Sequence, residues 1–285
     1  MSIPFSVVTS VYKNDKPEYV KIALDSMLVN QTIKPAEIVL VVDGPIHLEL
    51  TDLINAYQKK YSSILRPIFL ETNQGLGHAL QVGVSQAKHE YIARMDSDDI
   101  CLPNRFESQL LYLLEHPNID VISGHIEEFI DNISNIVGKR VVPLYDNEIY
   151  HSLKYRCPFN HVATMFKKAS IMQVGNYQDW HYNEDYYLWI RMALANCKFA
   201  NLDQTLCYVR VGKEMYQRRG GWKYFKSEYG LQKYMLNHNL INSITFVYNV
   251  IIRFVVQVLM PNRLRGWVFQ KIARKQNQSS LYGGA

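Results

Sequence analysis

Two short acidic runs hold the residues best able to do chemistry. The first is Arg94-Met95-Asp96-Ser97-Asp98-Asp99 and the second is Glu184-Asp185-Tyr186-Tyr187-Leu188-Trp189. On an extended segment, carboxylates two residues apart point to the same side, so Asp96 and Asp98 can converge on one ligand. Hard oxygen donors of this kind suit Mg²⁺ or Mn²⁺, ions that commonly bridge protein carboxylates and substrate phosphates. The same residues could instead form a surface turn capping the next helix, for which Pro103 is well placed. Glu184 and Asp185 open an amphipathic segment, where the helix dipole favours negative charge. They read either as an acidic first turn or as a general base, one carboxylate aimed into a cleft.

The elements that must position these groups alternate between two periods. Short apolar or β-branched runs at Phe5–Val11, Glu37–Asp43, Pro67–Glu71 and Tyr91–Asp96 predict buried strands. Between them, Pro17–Asn30, Leu48–Tyr61 and Gly75–Lys88 repeat apolar residues every three or four positions, as helices do. This alternation implies βαβ units, and hence an α/β fold built on a mostly parallel central sheet. Ligands of such sheets bind beyond the carboxyl ends of the strands. Four polar strand ends meet there: Thr9-Ser10-Val11-Tyr12, Asp43-Gly44-Pro45, Asn73-Gln74-Gly75 and Asp96–Asp99. Farther along, the spacing predicts helices over Asn104–Glu115, Asn147–Tyr155 and Glu184–Asn196. It predicts strands over Asp120–Ile130, Val137–Val142 and Ala163–Lys167, with a turn at Asp131-Asn132.

Together these residues resemble a family 2 glycosyltransferase of the GT-A fold, from Phe5 to about Arg210. Ser6-Val7-Val8-Thr9-Ser10-Val11-Tyr12 resembles the family's first nucleotide-contacting strand, with Thr9 and Tyr12 on the donor. Asp43 stands where the family holds the uracil base, and Asn73-Gln74-Gly75 resembles its helix entry. Asp96-Ser97-Asp98 is similar to the D-x-D metal motif, with Arg94 and Asp96 on the donor side and Asp96 and Asp98 on the metal. Glu184-Asp185 is similar to the E-D motif, whose second carboxylate is the base. Phe159–Phe166 and Cys207–Arg210 resemble bacterial amylovoran, O-antigen and capsular polysaccharide enzymes, which places His161, Glu184 and Arg210 toward the acceptor and the diphosphate. Two departures stand out: Val42-Asp43-Gly44-Pro45 carries one aspartate where the family usually has two, and Gln81 stands where Asn is common.

The resemblance implies a metal-dependent (Mn²⁺ or Mg²⁺) inverting enzyme that takes a hexose from a nucleoside-diphosphate sugar, UDP-glucose or UDP-galactose. The acceptor would be a polyprenyl-diphosphate-linked saccharide, and the product a β-glycoside of a bacterial surface polysaccharide. Two alternatives are a sugar nucleotidyltransferase and a catalytically silent membrane scaffold. No Gly-rich phosphate loop bearing Arg or Lys follows the first strand, which disfavours the former, and Asp98 and Asp185 disfavour the latter.

Composition narrows the classes further. At 48% hydrophobic and 20% charged the chain is too apolar for disorder, and its four cysteines form no C-x-x-C pair, which argues against a disulfide framework or a zinc knuckle. Met1-Ser2-Ile3-Pro4 does not read as a signal peptide. The net charge of +5 conceals a division: residues 1–212 sum to −5, and residues 213–285 to +10. The expected organisation is a catalytic domain over 1–215, with a nucleotide-binding half at 1–99 and an acceptor-binding half at 100–215. A basic amphipathic helical tail would follow over 216–285, with Arg218-Arg219-Gly220-Gly221 as a loop over the diphosphate. Ile244–Met260 is apolar over 17 residues, short of the ~20 that cross a bilayer. Asn249, Arg253 and Gln257 mark one polar face, as on a helix lying in a membrane interface. Arg263, Arg265, Lys271, Arg274 and Lys275 surround Trp267 and Phe269, a combination suited to an anionic membrane surface. The expected location is peripheral, at the cytoplasmic face of the bacterial inner membrane. No motif supports nucleic acid as a partner.

Overall fold

The computed structural model describes residues 3–212 and 220–261. Strands β1 (Phe5–Val11), β2 (Glu37–Val42), β3 (Leu65–Phe69) and β4 (Tyr91–Arg94) alternate with helices α1 (Pro17–Leu28), α2 (Leu48–Lys60) and α3 (Leu76–Gln86). All four strands pair in parallel, in the order β3-β2-β1-β4. β2 is buried along its whole length, the signature of a strand covered on both faces.

The remaining strands extend the same sheet in mixed orientation. They are β5 (Ile100–Cys101), β6 (Val121–Phe129), β7 (Ile136–Arg140), β8 (Met165–Lys167) and β9 (Phe199–Arg210). β8 inserts antiparallel between β4 and β6, β9 runs parallel to β6, and β7 completes a hairpin with β6 through Asp131. One nine-stranded sheet therefore carries both the expected nucleotide half and the expected acceptor half.

Helices cover both faces. α1, α2 and α4 (Arg105–Glu115) bury Leu24, Met27, Ile54, Phe106 and Leu110 against one face. On the other lie α3, α5 (Asp146–Leu153), α6 (Lys168–Gln173) and α7 (Glu184–Leu194), around Leu80, Val84, Leu153, Ile171 and Trp189. Gly83 lets α3 lie directly on β1, since a Cβ there would stand 2.5 Å from the Val8 Cγ1.

A buried guanidinium ties the layers together beneath the first acidic run. Arg105, fully buried, donates to the carbonyls of Arg94 (2.7 Å) and Thr164 (3.2 Å), to Gln109 Oε1 (3.1 Å), and to the sulfurs of Met95 and Cys207 (both 3.1 Å). Its five donors thus join β4, the end of β9 and the loop before β8.

Two helices follow the sheet, α8 (Trp222–Asn237) and α9 (Ser243–Phe254), the latter continued by a π turn at Val255–Leu259. Leu231 and Met235 of α8 belong to the same core as Trp189 of α7. Packing therefore runs through the expected domain boundary at 215/216. α9 is seated on the protein through its polar residues. Its polar stripe faces the protein: Asn249 donates to the Lys154 carbonyl (2.9 Å) and to Gln232 Oε1 (2.7 Å). Arg253 pairs with Glu228 (2.5 Å) and donates to the Tyr155 carbonyl (2.7 Å). Among the described residues, no helix is long and apolar enough to cross a membrane. Arg218, Arg219 and the basic cluster Arg263–Lys275 lie outside the described residues.

Candidate active site

The carboxyl ends of β1 to β4 form one edge, as the strand alternation requires. β2 runs into Asp43, a buried carboxylate that clamps the loop before α3. Its Oδ1 accepts from the Gln74 amide (2.8 Å), and its Oδ2 from the Gly75 amide (2.9 Å) and Asn73 Nδ2 (2.9 Å). The turn requires Gly44, with φ +83° and a Cβ position only 2.4 Å from the Asn73 nitrogen. Gly75 enters α3 at φ +90°. Thr9 does not reach this edge: it is 1% exposed, packed inside the sheet, and its buried hydroxyl has no hydrogen-bond partner. Tyr12 is exposed, and its amide donates to Asp15 Oδ2 (3.1 Å).

Four carboxylates gather where β4 ends. Arg94 is buried and grips Asp96 with both terminal nitrogens, one donating to Oδ2 at 2.6 Å. Asp98 reaches solvent but sits deep in the cleft; the surrounding protein, then the charges of Asp96 and Asp15, push it up to about 6, with Arg210 opposing. Asp15 is likewise pushed up to about 6, chiefly by burial, and accepts from the Ser97 hydroxyl (2.9 Å). Asp99 is buried, raised by burial and by Asp98, and accepts from the Arg210 amide (2.7 Å). The Arg210 guanidinium lies 3.7 Å over the Tyr19 ring and donates to the Asp98 carbonyl (3.2 Å) and the Asp131 carbonyl (2.9 Å). It braces the acidic loop against the β6–β7 turn. Among the described residues, no group of three or more His, Cys, Asp or Glu is arranged to hold a metal by protein ligands alone.

The second acidic run arrives at the same edge on the first turn of α7. Glu184 packs beside the first turn of α3, its Cβ 3.4 Å from where a Gly77 side chain would begin. It is pushed up to about 7 by burial and then by Asp185, while Arg94 pulls it down. Asp185 presents Oδ1 to the Tyr186 amide (2.7 Å) and Oδ2 to the Cys157 thiol (3.8 Å). His161, just ahead of β8, shares a 2.8 Å hydrogen bond with the Tyr177 hydroxyl and lies edge-on to Trp189. Burial, then the charge of Arg94, holds its imidazole well below the usual histidine range, so it is neutral at neutral pH. It can hydrogen-bond a ligand but does not carry a proton to it.

Arg94 therefore stands at the junction, its charge acting on Asp96, Asp99, Glu184, His161 and Tyr177. The structure brings together Arg94, Asp96, Asp98, Glu184, Asp185, His161 and Arg210, and leaves Thr9 outside. Three residues were not visible as site members in the sequence. Asp15 reads there as an ordinary polar residue before the helical Pro17, and Cys157 and Tyr177 sit in irregular segments with no periodicity to mark them.

Residues 6–179 match the profile of Glycosyl transferase family 2. The chain is 36% identical to an Escherichia coli UDP-Gal:alpha-D-GlcNAc-diphosphoundecaprenol beta-1,3-galactosyltransferase over 271 residues, covering 95% of this chain and 97% of that one. It is also 36% identical to the amylovoran biosynthesis glycosyltransferase AmsE of Erwinia amylovora, covering 94% and 98%. Among solved structures, S. aureus TarS 1-349 in complex with UDP-GlcNAc superposes with a TM-score of 0.65 at 19% identity, over 95% of this chain and 76% of that one. The fold is that of a GT-A-type α/β enzyme. The chain belongs to glycosyl transferase family 2, and with that the nucleotidyltransferase alternative falls.

Proposed function

We propose that the protein is an inverting, cation-assisted hexosyltransferase. It moves glucose or galactose from a UDP-sugar to a polyprenyl-diphosphate-linked saccharide during bacterial surface polysaccharide assembly. The observation that carries this reading is the meeting of Asp96 and Asp98 with Glu184 and Asp185 across one cleft, with the basic Arg94 between them. Donor and acceptor classes are supported by the galactosyltransferase relative, whose name specifies both.

The acceptor hydroxyl lies against Asp185, whose carboxylate takes its proton. The hydroxyl oxygen then forms a bond to the anomeric carbon, from the face opposite the diphosphate. The carbon–oxygen bond to the diphosphate breaks, its electron pair leaves with UDP, and an α-linked donor becomes a β-glycoside. The Cys157 thiol and Tyr186 amide fix the orientation of the base. Neutral His161, oriented by the buried Tyr177 hydroxyl, offers a hydrogen bond on the acceptor side. Asp98, with the Arg94-bound Asp96 beside it, fits a divalent cation: burial, and then the charges of Asp96 and Asp15, push Asp98 up to about 6, and a cation there would relieve that crowding of negative charge. Among the described residues no three such side chains are arranged to hold an ion by themselves, so a bound cation would rely on the donor as well. Bound there, Mn²⁺ or Mg²⁺ would neutralise charge building on the leaving diphosphate.

The test is a donor screen with UDP-galactose, UDP-glucose and their N-acetyl counterparts against a synthetic saccharide-diphosphate-lipid, with and without EDTA, and linkage read by NMR. A β-linked hexose formed only with divalent cation is expected. An α linkage, or full turnover in EDTA, overturns the mechanism.

A further inference from the structure

The two faces of α9 are reversed relative to an ordinary surface helix. Its polar residues point into the protein: Asn249 is 2% exposed, Gln257 is buried in the π turn, and Arg253 is neutralised by Glu228. Its outward face is an unbroken apolar stripe at helical spacing, running from Ile244 (81% exposed) through Val247, Tyr248, Ile251, Ile252 and Val255 to Leu259 (61% exposed). A helix that hides its hydrogen-bonding groups and exposes its aliphatic ones is not built to face water.

Two further observations select the occupant. Aromatic side chains border the stripe: Trp222 (53% exposed) meets the Phe254 ring edge-on with Lys226 above it, and Tyr229 lies edge-on to Phe246. Trp and Tyr beside an apolar band, with Lys at the margin, match the polarity gradient of a bilayer surface. The charge is equally one-sided. From Tyr229 to Ala285 the sequence contains no Asp or Glu, and besides Arg253, which Glu228 neutralises, it carries the basic residues Lys233, Arg263, Arg265, Lys271, Arg274 and Lys275. An anionic surface is attracted to such a segment and a neutral one is not. Size disfavours a second copy of the chain. At 1.5 Å per residue and about 10 Å across, the stripe covers on the order of 250 Å², against ~800 Å² per partner in a stable dimer.

We infer that the outward face of α9 and its π turn is a lipid-docking surface, seated on an anionic bilayer with Trp222 and Tyr229 at headgroup depth. The polar stripe of the sequence is then the joint between helix and enzyme, and the apolar stripe is the joint between enzyme and membrane. This deepens the proposed use of a lipid-linked acceptor, but the contact is tested without catalysis.

The full-length protein is floated with vesicles of phosphatidylcholine alone and of phosphatidylcholine mixed with phosphatidylglycerol. It is compared with the triple variant Ile244→Ser, Ile251→Ser, Leu259→Ser, whose melting curve is expected to match the wild type because all three positions are exposed. Binding is expected to the mixed vesicles, roughly tenfold weaker to the neutral ones, and on the order of a hundredfold weaker for the variant. Hydrogen exchange over Ser243–Leu259 should slow when mixed vesicles are added. Wild-type protein that stays unbound, a variant that binds as wild type does, or exchange unaltered by vesicles overturns the inference. So does a wild-type dimer that the variant converts to monomer, which would assign the stripe to a second copy. Failure of the donor screen with intact flotation would reject the catalytic reading and leave this one standing.

Discussion

Asp185 and Glu184 are neighbours in the chain but face different surroundings, and their replacement should have different effects. Asp185→Asn keeps the size of the side chain and removes its ability to take a proton. We expect turnover to fall about a thousandfold, within the usual range for a general base, while calorimetric UDP affinity stays unchanged. Retained turnover would move the base elsewhere. Glu184 titrates near neutrality instead. Its folded value of about 7 lies above the ordinary glutamate value of 4.5, so the folded state favours its proton. The corresponding stability is fully present below about pH 4.5 and is lost as pH rises through 7. Glu184→Gln should therefore melt at a temperature that varies less between pH 5 and pH 8 than the wild type does; parallel profiles would rule out this residue as the source.

Among the elements, α9 is held by polar groups where most helices are held by apolar ones. The Arg253–Glu228 pair, 11% and 8% exposed at its side chains, carries that load. Arg253→Met leaves Glu228 buried without a counter-charge, and we expect a loss of about 3 to 5 kcal/mol in urea unfolding. A change within error would show that the apolar contacts of Phe225, Phe246 and Phe254 suffice.

The first seven strands and helices were legible in the sequence because their periods are clean and each strand ends in polar residues. The Asp96–Asp99 run was legible for the same reason, being anchored to one of those ends, and Glu184-Asp185 because it opens a cleanly periodic helix. β9 was not, since Asn201, Asp203, Gln204 and Thr205 interrupt its alternation and its pairing with β6 shifts register near His125. The facing of α9 was not legible either. Asn249, Arg253 and Gln257 mark a polar face in any helix. Only Lys154, Tyr155, Glu228 and Gln232, packed against it by the fold, turn that face inward.

At the scale of the molecule, strands from both sides of Asp99 share one sheet, so the two acidic runs are set against each other by backbone and not by a hinge between domains. Arg105 strengthens this arrangement. Its guanidinium has carbonyls, an amide oxygen and sulfurs for partners, all supplied by residues behind the acidic loop. Any local opening at that point would strand a cation or several carbonyls in an apolar interior, at a cost of several kcal/mol. Motions fast enough to admit and release substrates within a turnover belong to the rim of the cleft, and its floor stays still.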